Sequence, residues 1–272
     1  MEEITVIKPP KGLQFINLKE IIKYKDLLWT LVERDIKVRY KQTIIGGLWA
    51  IIQPLSTMVV FSIFFGKIAK IPSEGIPYPI FSYAGLILWT YFSTTLSNTS
   101  NSLIGDKNLI TKVYFPRTII PISKTVIGLL DYSIAFIILF GLMFFYNFTP
   151  TFKILLLPVV LFFTWLLVSG LGMWLSAFNV KYRDVRYAVP FFISMLLFVT
   201  PVIYPVSLAG EYSWLMNLNP MSGLIQAHRA IILNHQPVNW NLFGISVFLS
   251  LLIFLSGSLY FKSVERYFAD II

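Results

Sequence analysis

The 272-residue sequence has no cysteine, only two histidines and few charged residues, and each shortage excludes a class of protein. Without cysteine there is no disulfide, no thiol chemistry and no thiolate metal site. Charged residues make up 13% of the chain, whereas a soluble domain carries about 25%. With 56% hydrophobic residues and a mean hydropathy of +0.72, the chain is also too apolar for disorder. The composition therefore predicts an integral membrane protein.

Motifs for nucleotide hydrolysis and for metal or nucleophilic catalysis are missing as well. His228 and His235 lie outside an HExxH pattern, so we expect no metal site. The Gly66-Lys67 pair lacks the upstream glycine of a Walker A motif, and no G-x-S-x-G elbow occurs. The net charge of +9 is attributed to cytoplasmic Lys and Arg rather than to nucleic-acid binding. We therefore expect that this chain does not hydrolyse ATP itself.

Long stretches with few or no charges predict six transmembrane helices. About 20 helical residues cover a hydrocarbon core of roughly 30 Å. The predicted spans are residues 44–66, 79–99, 118–148, 154–178, 187–204 and 238–261. They belong to a transmembrane domain of residues 42–261, which follows an N-terminal segment of residues 1–41 and precedes a tail of residues 262–272.

The distribution of basic residues predicts the orientation. If both termini are cytoplasmic, 18 of the 22 Lys and Arg residues fall on the cytoplasmic side and four fall outside. Basic residues are retained in the cytoplasm, so this bias favours cytoplasmic termini. The N-terminal segment is charged throughout and lacks the apolar region of a signal peptide.

Residues 18–40 predict an amphipathic helix on the cytoplasmic surface. Apolar side chains recur there at steps of four, at Leu28, Val32, Ile36 and Tyr40, which puts them on one helix face. Glu33–Lys37 and Asp35–Arg39 are acidic-to-basic pairs at the same step. Two interpretations remain open, a membrane-surface anchor and a docking element for a cytoplasmic partner.

Two further segments between predicted spans are not simple loops. Residues 102–111 predict a short cytoplasmic helix that ends before Phe115-Pro116, because a residue before proline avoids the helical region. A solvated connector is the alternative. On the outer side, residues 211–218 and 221–233 predict two helices too short to cross the bilayer, with Asn219 as N-cap and Pro220 at the first helical position. We therefore expect a re-entrant pair surrounded by protein or by a water-filled cavity.

Asp131 is the only acidic residue inside a predicted span. Lys124 lies two helical turns earlier and could approach it along one face. Ion-coupled transport usually needs several ionisable groups within the membrane, so we interpret Asp131 either as a pathway residue or, more simply, as a polar contact between helices.

A series of motifs runs in order along most of the chain. They are residues 33–43 with Gly46-Gly47-Leu48-Trp49 and Gln53-Pro54-Leu55, Tyr83-Ala84-Gly85 with Trp89, Asn108-Leu109-Ile110 with residues 112–117, residues 179–185, residues 200–205, and Asn219-Pro220. Together they resemble the permease subunit of ABC-2-type polysaccharide exporters, which carry O-antigen, teichoic acid and capsule chains.

The resemblance implies an all-α membrane protein with six transmembrane helices, acting as a homodimer in the bacterial inner (cytoplasmic) membrane. It implies two copies of a cytoplasmic ATP-binding subunit, which bind the ATP and Mg, so this chain needs no cofactor and no metal of its own. The implied cargo is a lipid-linked polysaccharide, and the implied surroundings are membrane lipids rather than nucleic acid.

The resemblance also implies roles for individual residues. The N-terminal helix matches the interface helix, with Arg34, Asp35, Arg39 and Tyr40. The cytoplasmic loop between spans 2 and 3 matches the coupling helix, with Leu103, Asn108, Leu109, Lys112, Phe115, Pro116 and Arg117, of which Leu103, Leu109 and Phe115 are the expected apolar anchors. The segment between spans 5 and 6 matches the outer gate helices, with Tyr204, Asn219, Pro220, His228 and Arg229.

Aromatic side chains crowd the first two spans and are candidates for the channel lining. Their faces offer apolar contact, and Tyr and Trp add hydrogen-bonding groups that suit a glycan. The candidates are Trp49, Phe61, Phe64, Trp89, Tyr91 and Phe92. The alternative interpretation is an interfacial or lipid-facing belt.

Other functions are consistent with parts of this pattern. An ABC-2 permease for a drug or another small amphiphile would keep the fold and change the cargo. A membrane-embedded transferase acting on lipid-linked sugars would need an acid/base constellation, and the sequence offers none. A scaffold that transports nothing would not need a re-entrant segment.

Overall fold

The computed structural model describes residues 18–41 and 48–268, and every regular element within them is a helix. Four motif residues, Gln42, Thr43, Gly46 and Gly47, lie outside the described residues. So do the first 17 residues of the predicted N-terminal segment, the start of the predicted span 44–66, and the last four residues of the tail.

The N-terminal half begins with two helices that precede the first candidate membrane span. The elements are α1 (Leu18–Lys23), α2 (Lys25–Lys41), α3 (Trp49–Phe61), which continues as π-helical turns over Ser62–Ile68, and α4 (Tyr78–Ser100). The four side chains of the predicted amphipathic face of α2, which include Val32 and Tyr40, are buried or half-buried, so the predicted face is confirmed.

The middle of the chain contains two short helices and two long ones. They are α5 (Ser102–Gly105), α6 (Lys107–Lys112), α7 (Ile119–Phe145) and α8 (Leu157–Lys181), the last preceded by a 3-10 turn at Phe152–Leu156. The single helix predicted over residues 102–111 is thus two helices. Asp106 separates them with φ −103° and ψ 23°, outside the helical region.

The C-terminal part holds α9 (Val185–Val199), a 3-10 stretch (Val206–Tyr212), α10 (Ser213–Leu218), α11 (Pro220–Leu233) and α12 (Trp240–Val264), with a 3-10 turn at Glu265–Tyr267. Helix α9 ends five residues before the predicted limit of 204. Thr200 precedes Pro201 and is extended, with ψ 138°, because the proline ring disfavours the helical conformation of the residue before it. Tyr204 therefore follows the helix.

Among the described residues, four helical stretches are long and apolar enough to cross a membrane. They are Trp49–Ile68, Ile119–Phe145, Phe152–Lys181 and Trp240–Tyr267. Helix α4 has 23 residues but a polar face, and α9 is apolar but has only 15 residues.

The core is built around α4, most of whose side chains are buried against α3, α7, α8 and α11. Helices α8 and α12 approach closely where glycine removes the side chain. A Cβ added at Gly170 would lie 2.6 Å from the Cα of Phe254, which no folded chain tolerates. Close backbone approach at glycine is a common way for membrane helices to pack.

Candidate functional site

A cavity of about 670 Å³ lies between α2, α3, α4, α5 and α7. Helix α4 contributes a polar stripe at steps of four residues, which puts Thr90, Thr94 and Asn98 on one helix face, and Asn101 at the C-cap of the helix continues the stripe. This stripe explains why α4 is less apolar than the other long helices. A hydrophobic bilayer would penalise such a face, whereas a water-filled cavity solvates it.

The other walls combine apolar, amide and charged groups. Helix α3 contributes Trp49 and Gln53, and Trp49 is 55% exposed. Helix α7 contributes Lys124, Ile127 and Asp131 at steps of three and four. Helix α2 closes the cavity with Asp35, Val38, Arg39 and Tyr40.

Four charged side chains from three elements form an ion-pair ring at this wall. Arg34 Nη2 lies 2.8 Å from Asp35 Oδ1 and 2.8 Å from Asp106 Oδ1. Lys124 Nζ lies 3.2 Å from Asp106 Oδ2 and also pairs with Asp35. Each carboxylate therefore contacts both cations, and the ring joins α2, the α5–α6 junction and α7.

A second ionic contact lies one helical turn further along α2. Arg39 and Tyr40 both donate hydrogen bonds to the carboxylate of Asp131. Burial, together with the hydrogen bond to Asp131, raises the pKa of Tyr40 above its usual range, so the phenol remains a neutral donor. Asp131 thus makes a polar contact between α7 and α2, as the simpler of its two interpretations predicted.

The ion pairs differ from those that helical spacing suggested. Glu33–Lys37 is confirmed, with Nζ 2.6 Å from Oε1. Asp35, however, pairs with Arg34 and Lys124 instead of Arg39, and Lys124 does not reach Asp131 but contacts Asp35 and Asp106. Steps of four show which side chains share a helix face. The observed partners of Asp35, however, are the adjacent Arg34 and a lysine on another helix, Lys124.

The predicted coupling residues divide into a buried and an exposed set. Leu103 and Phe115 belong to a buried cluster of this chain, so in the isolated chain they are not the exposed anchors that we expected. Leu109 is half-buried against the same cluster, and Pro116 is buried.

The rest of this loop faces outward or bonds to the C-terminal region. Arg117 donates to Glu265 from its backbone N–H, at 2.7 Å, and from its guanidinium to the Glu265 carbonyl. Asn108 and Lys112 are exposed. The exposed apolar side chains are Val113, at 53%, and Tyr114, at 64%.

The aromatic residues proposed as channel lining do not form one surface in this chain. Trp49 and Tyr91 line the cavity. Trp89 and Phe92 are buried in the core and contact each other, with ring centroids 5.4 Å apart. Phe61 and Phe64 follow on α3, where Phe61 is half-buried and Phe64 is exposed.

Away from this cavity, Arg229 secures the break between α9 and the helices α10 and α11. Its side chain is buried, and Nε donates to the Phe81 carbonyl at 3.1 Å. Nη1 donates to the Pro201 carbonyl at 2.6 Å, and Nη2 donates to Val202. The guanidinium also lies 3.8 Å from the centroid of the Phe81 ring.

The same break receives two more side-chain hydrogen bonds. Tyr78 Oη donates to the Ile203 carbonyl at 2.7 Å, and Asn219 Nδ2 donates to Thr200 Oγ1 at 2.8 Å. The backbone of residues 201–203 therefore has donors for three consecutive carbonyls. A buried non-helical backbone needs such donors, because an unpaired carbonyl away from water costs free energy.

The predicted helix start at α11 is confirmed. Asn219 Oδ1 accepts the N–H of Met221 at 3.0 Å, and Pro220 occupies the first turn.

The next functional candidate, His228, is wholly buried on α11, and its Nε2 lies 2.7 Å from Tyr132 Oη. Where the structure describes the chain, no group of three or more His, Cys, Asp or Glu side chains could hold a metal.

Sequence reasoning missed Asp106 and the role of Lys124. Asp106 lies in the middle of the short helix predicted over residues 102–111, and Lys124 lies near the start of the predicted span 118–148. For a charged residue an exposed position is the ordinary expectation. A signal was present, because Asp106 interrupts an otherwise helical stretch. Its partners, however, are 72 and 18 residues away along the chain.

Residues 26–233 match the ABC-2 type transporter family. The O-antigen export system permease protein RfbA of Myxococcus xanthus is 29% identical over 257 residues, which cover 93% of this chain and 98% of that protein. RfbA of Klebsiella pneumoniae is 26% identical over 249 residues, covering 91% and 95%. The polysialic acid transport protein KpsM of Escherichia coli is 21% identical over 207 residues, covering 74% and 78%. The resemblance carried by the sequence motifs is thereby confirmed. Because the match extends over most of its length, the chain belongs to the ABC-2 type transporter family.

Proposed function

We propose that this chain is the membrane permease subunit of an ATP-driven exporter that moves a lipid-linked polysaccharide from the cytoplasmic side outward. The observation that carries the proposal is the similarity over more than nine-tenths of the chain to proteins named as O-antigen export permeases. The similarity to a polysialic acid transport protein supports a polymeric glycan as the cargo class.

The proposed topology has six spans, with both termini on the cytoplasmic side of a bacterial inner membrane. Four are the apolar stretches described above, and α4 and α9 are the other two. Helix α4 is about 35 Å long at 1.5 Å per residue, sufficient for the hydrocarbon core, and its polar face is turned to the cavity. Helix α9 is about 22 Å long and would need local thinning of the bilayer or help from its flanks.

Helices α10 and α11 would form the re-entrant outer gate. Helix α11 measures about 21 Å and cannot cross the core, yet nearly all of its side chains are buried. A short buried helix beside a hydrogen-bonded break is the arrangement that a re-entrant pair requires. Tyr204, Asn219, Pro220, His228 and Arg229 are its candidate gate residues.

The cavity between α2 and α7 would form the cytoplasmic part of the glycan path. Hydroxyl and amide groups of α4 can bond to sugar hydroxyls, and the exposed face of Trp49 can pack on a sugar ring. Every charged residue on the described part of the cavity wall has a partner of opposite charge. This wall therefore offers a passing polymer no unpaired charge that would bind it too tightly for release.

Energy would be supplied by two copies of a separate cytoplasmic ATP-binding subunit, which hold the ATP and Mg, below a homodimer of this chain. The proposed docking surface is the segment 107–114. It presents Lys107 and Lys112 beside the exposed apolar pair Val113 and Tyr114, whereas Leu103 and Phe115 support it from within. Interfaces place apolar anchors centrally and leave charges at the rim.

A double substitution tests this surface. Val113→Ala with Tyr114→Ala should leave the permease inserted and should abolish both co-purification of the ATP-binding subunit and export of polymer to the cell surface. Phe152→Ala with Leu155→Ala is the matched control, because these apolar side chains are 90% and 74% exposed and lie on the proposed outer side. Normal export by the first variant would remove the coupling role from this segment.

The cargo is tested on the intact complex of permease and ATP-binding subunit. Extraction of lipids bound to the purified complex should yield a lipid-linked glycan, and adding that glycan should increase ATP hydrolysis. Stimulation by small amphiphiles alone, without any bound glycan, would contradict the polysaccharide assignment and would favour a permease for small molecules.

A further inference from the structure

Helix α2 is attached to the protein differently at its two ends. Leu31 and Val32 are buried in the first half of the helix, and Leu31 belongs to the same apolar cluster as Leu103 and Phe115. From Glu33 to the end of α2 at Lys41, every side chain is half-buried or exposed. The end of the helix that closes the cavity is therefore held mainly by its charged contacts.

The ion-pair ring of Arg34, Asp35, Asp106 and Lys124 is the stronger of these contacts. Its two carboxylates are 17% and 10% exposed, and each accepts from both cations. Pulling one member out would leave the remaining charges poorly solvated and incompletely paired, which is costly in such surroundings. Since Asp106 lies beside the proposed docking surface, the ring connects that surface directly to α2.

The contact of Arg39 and Tyr40 with Asp131 is the weaker one. It contains the ion pair of Arg39 with Asp131, in which Arg39 is 36% exposed and Asp131 20% exposed. Exchanging a partly exposed pair for water costs much less than opening the ring. The pair also lies on the cavity wall, between the end of α2 and the middle of α7. Its separation would open the cavity along the line between these two helices.

We propose that α2 is a movable wall of the cavity, with the ion-pair ring as its pivot and the Arg39–Asp131 contact as its latch. This proposal rests on the export function proposed above. Movement of the ATPase-facing segment is transmitted through Asp106 and releases the latch. The cytoplasmic end of the cargo then enters between α2 and α7. Arg39 and Asp131 act as positioning residues, and neither is assigned a contact with the cargo.

A reversible crosslink tests the latch, because the chain has no cysteine of its own. Arg39→Cys with Asp131→Cys, joined by a short bifunctional methanethiosulfonate reagent, should stop export by the complete complex, because the end of α2 can then no longer leave α7. A reducing agent should restore export. Normal export with the crosslink in place would overturn the proposal.

The exposed ion pair within α2 supplies the matched control. Glu33→Cys with Lys37→Cys removes one charge of each sign, and these two side chains are 53% and 63% exposed and lie 2.6 Å apart. Crosslinking this pair with the same reagent should leave export active, because both residues lie on α2 and the crosslink does not join this helix to α7. Equal loss of export from both crosslinks would show that the loss does not come from joining α2 to α7 and would also overturn the proposal.

Charge substitutions provide a second test, which does not depend on whether the cysteine variants still assemble into a complex. Arg39→Asp and Asp131→Arg alone should each release the latch and increase ATP hydrolysis without glycan, and the double swap should restore glycan dependence. Single variants that hydrolyse ATP as the wild type does would contradict the latch. A different result would contradict the proposed export function rather than the latch. In that case the wild-type complex would carry no glycan, and its ATP hydrolysis would not respond to added glycan.

Discussion

Replacing Arg229 with lysine should detach the break after α9 from the core. The guanidinium donates to the carbonyls of Phe81, Pro201 and Val202, which come from two separate segments. A lysine ammonium is a point donor and lacks the planar fork that reaches all three. If two buried carbonyls lose their donor at about 1–3 kcal/mol each, Arg229→Lys should lower the free energy of unfolding by about 2–6 kcal/mol.

Gly85→Ala perturbs the same contact without removing the charge. A Cβ at Gly85 would lie 2.9 Å from the guanidinium carbon of Arg229, and the side chain cannot withdraw without breaking its hydrogen bonds. Gly141→Ala is the control, because no heavy atom lies within 4 Å of a Cβ at that helical position. In a helix that substitution alone is neutral or stabilises by about 0.5–1 kcal/mol.

These effects are measured by heating the detergent-purified complex and recording, at each temperature, the fraction that remains monodisperse. Arg229→Lys and Gly85→Ala should both lower the midpoint by several degrees, and Gly141→Ala should not. Export measured at reduced temperature reports whether α10 and α11 still perform their proposed gate function. The reasoning is refuted if Arg229→Lys unfolds at the wild-type midpoint, or if the two glycine variants behave alike.

Three further outcomes follow from packing and capping. Gly170→Ala should prevent stable assembly of α8 with α12, because its Cβ would lie 2.6 Å from the Cα of Phe254; a normal yield of folded protein would contradict this. Asn219→Ala should cost about 0.5–2 kcal/mol through the lost helix cap, measured as a lower unfolding midpoint, and an unchanged midpoint would show that the cap is dispensable. Leu103→Ala should lower the free energy of unfolding by about 2–5 kcal/mol, because the side chain is fully buried. Val113→Ala should leave the unfolding midpoint unchanged, because Val113 is exposed. A larger effect of Val113→Ala than of Leu103→Ala would contradict the division of the loop into a buried and an exposed set.

The sequence by itself determined the class of protein and the course of the helices. Apolar runs and prolines act locally, so the long helices and the capped start of α11 at Asn219 followed from neighbouring residues. Order and spacing of the motifs also determined the family. The Glu33–Lys37 pair was predictable for the same reason, because both partners lie on one helix face.

Tertiary structure alone decided the partners of the remaining charges and which side chains of the loop between α4 and α7 are exposed. Asp131 meets Arg39 from 92 residues away, and Arg229 bonds to carbonyls 148 and 28 residues away. Leu103 and Phe115 turned inward, and Val113 and Tyr114 were left outside, because the apolar cluster beneath the loop is built from distant segments. Helical periodicity specifies the face on which a side chain lies, whereas the surface that covers this face depends on how distant helices pack.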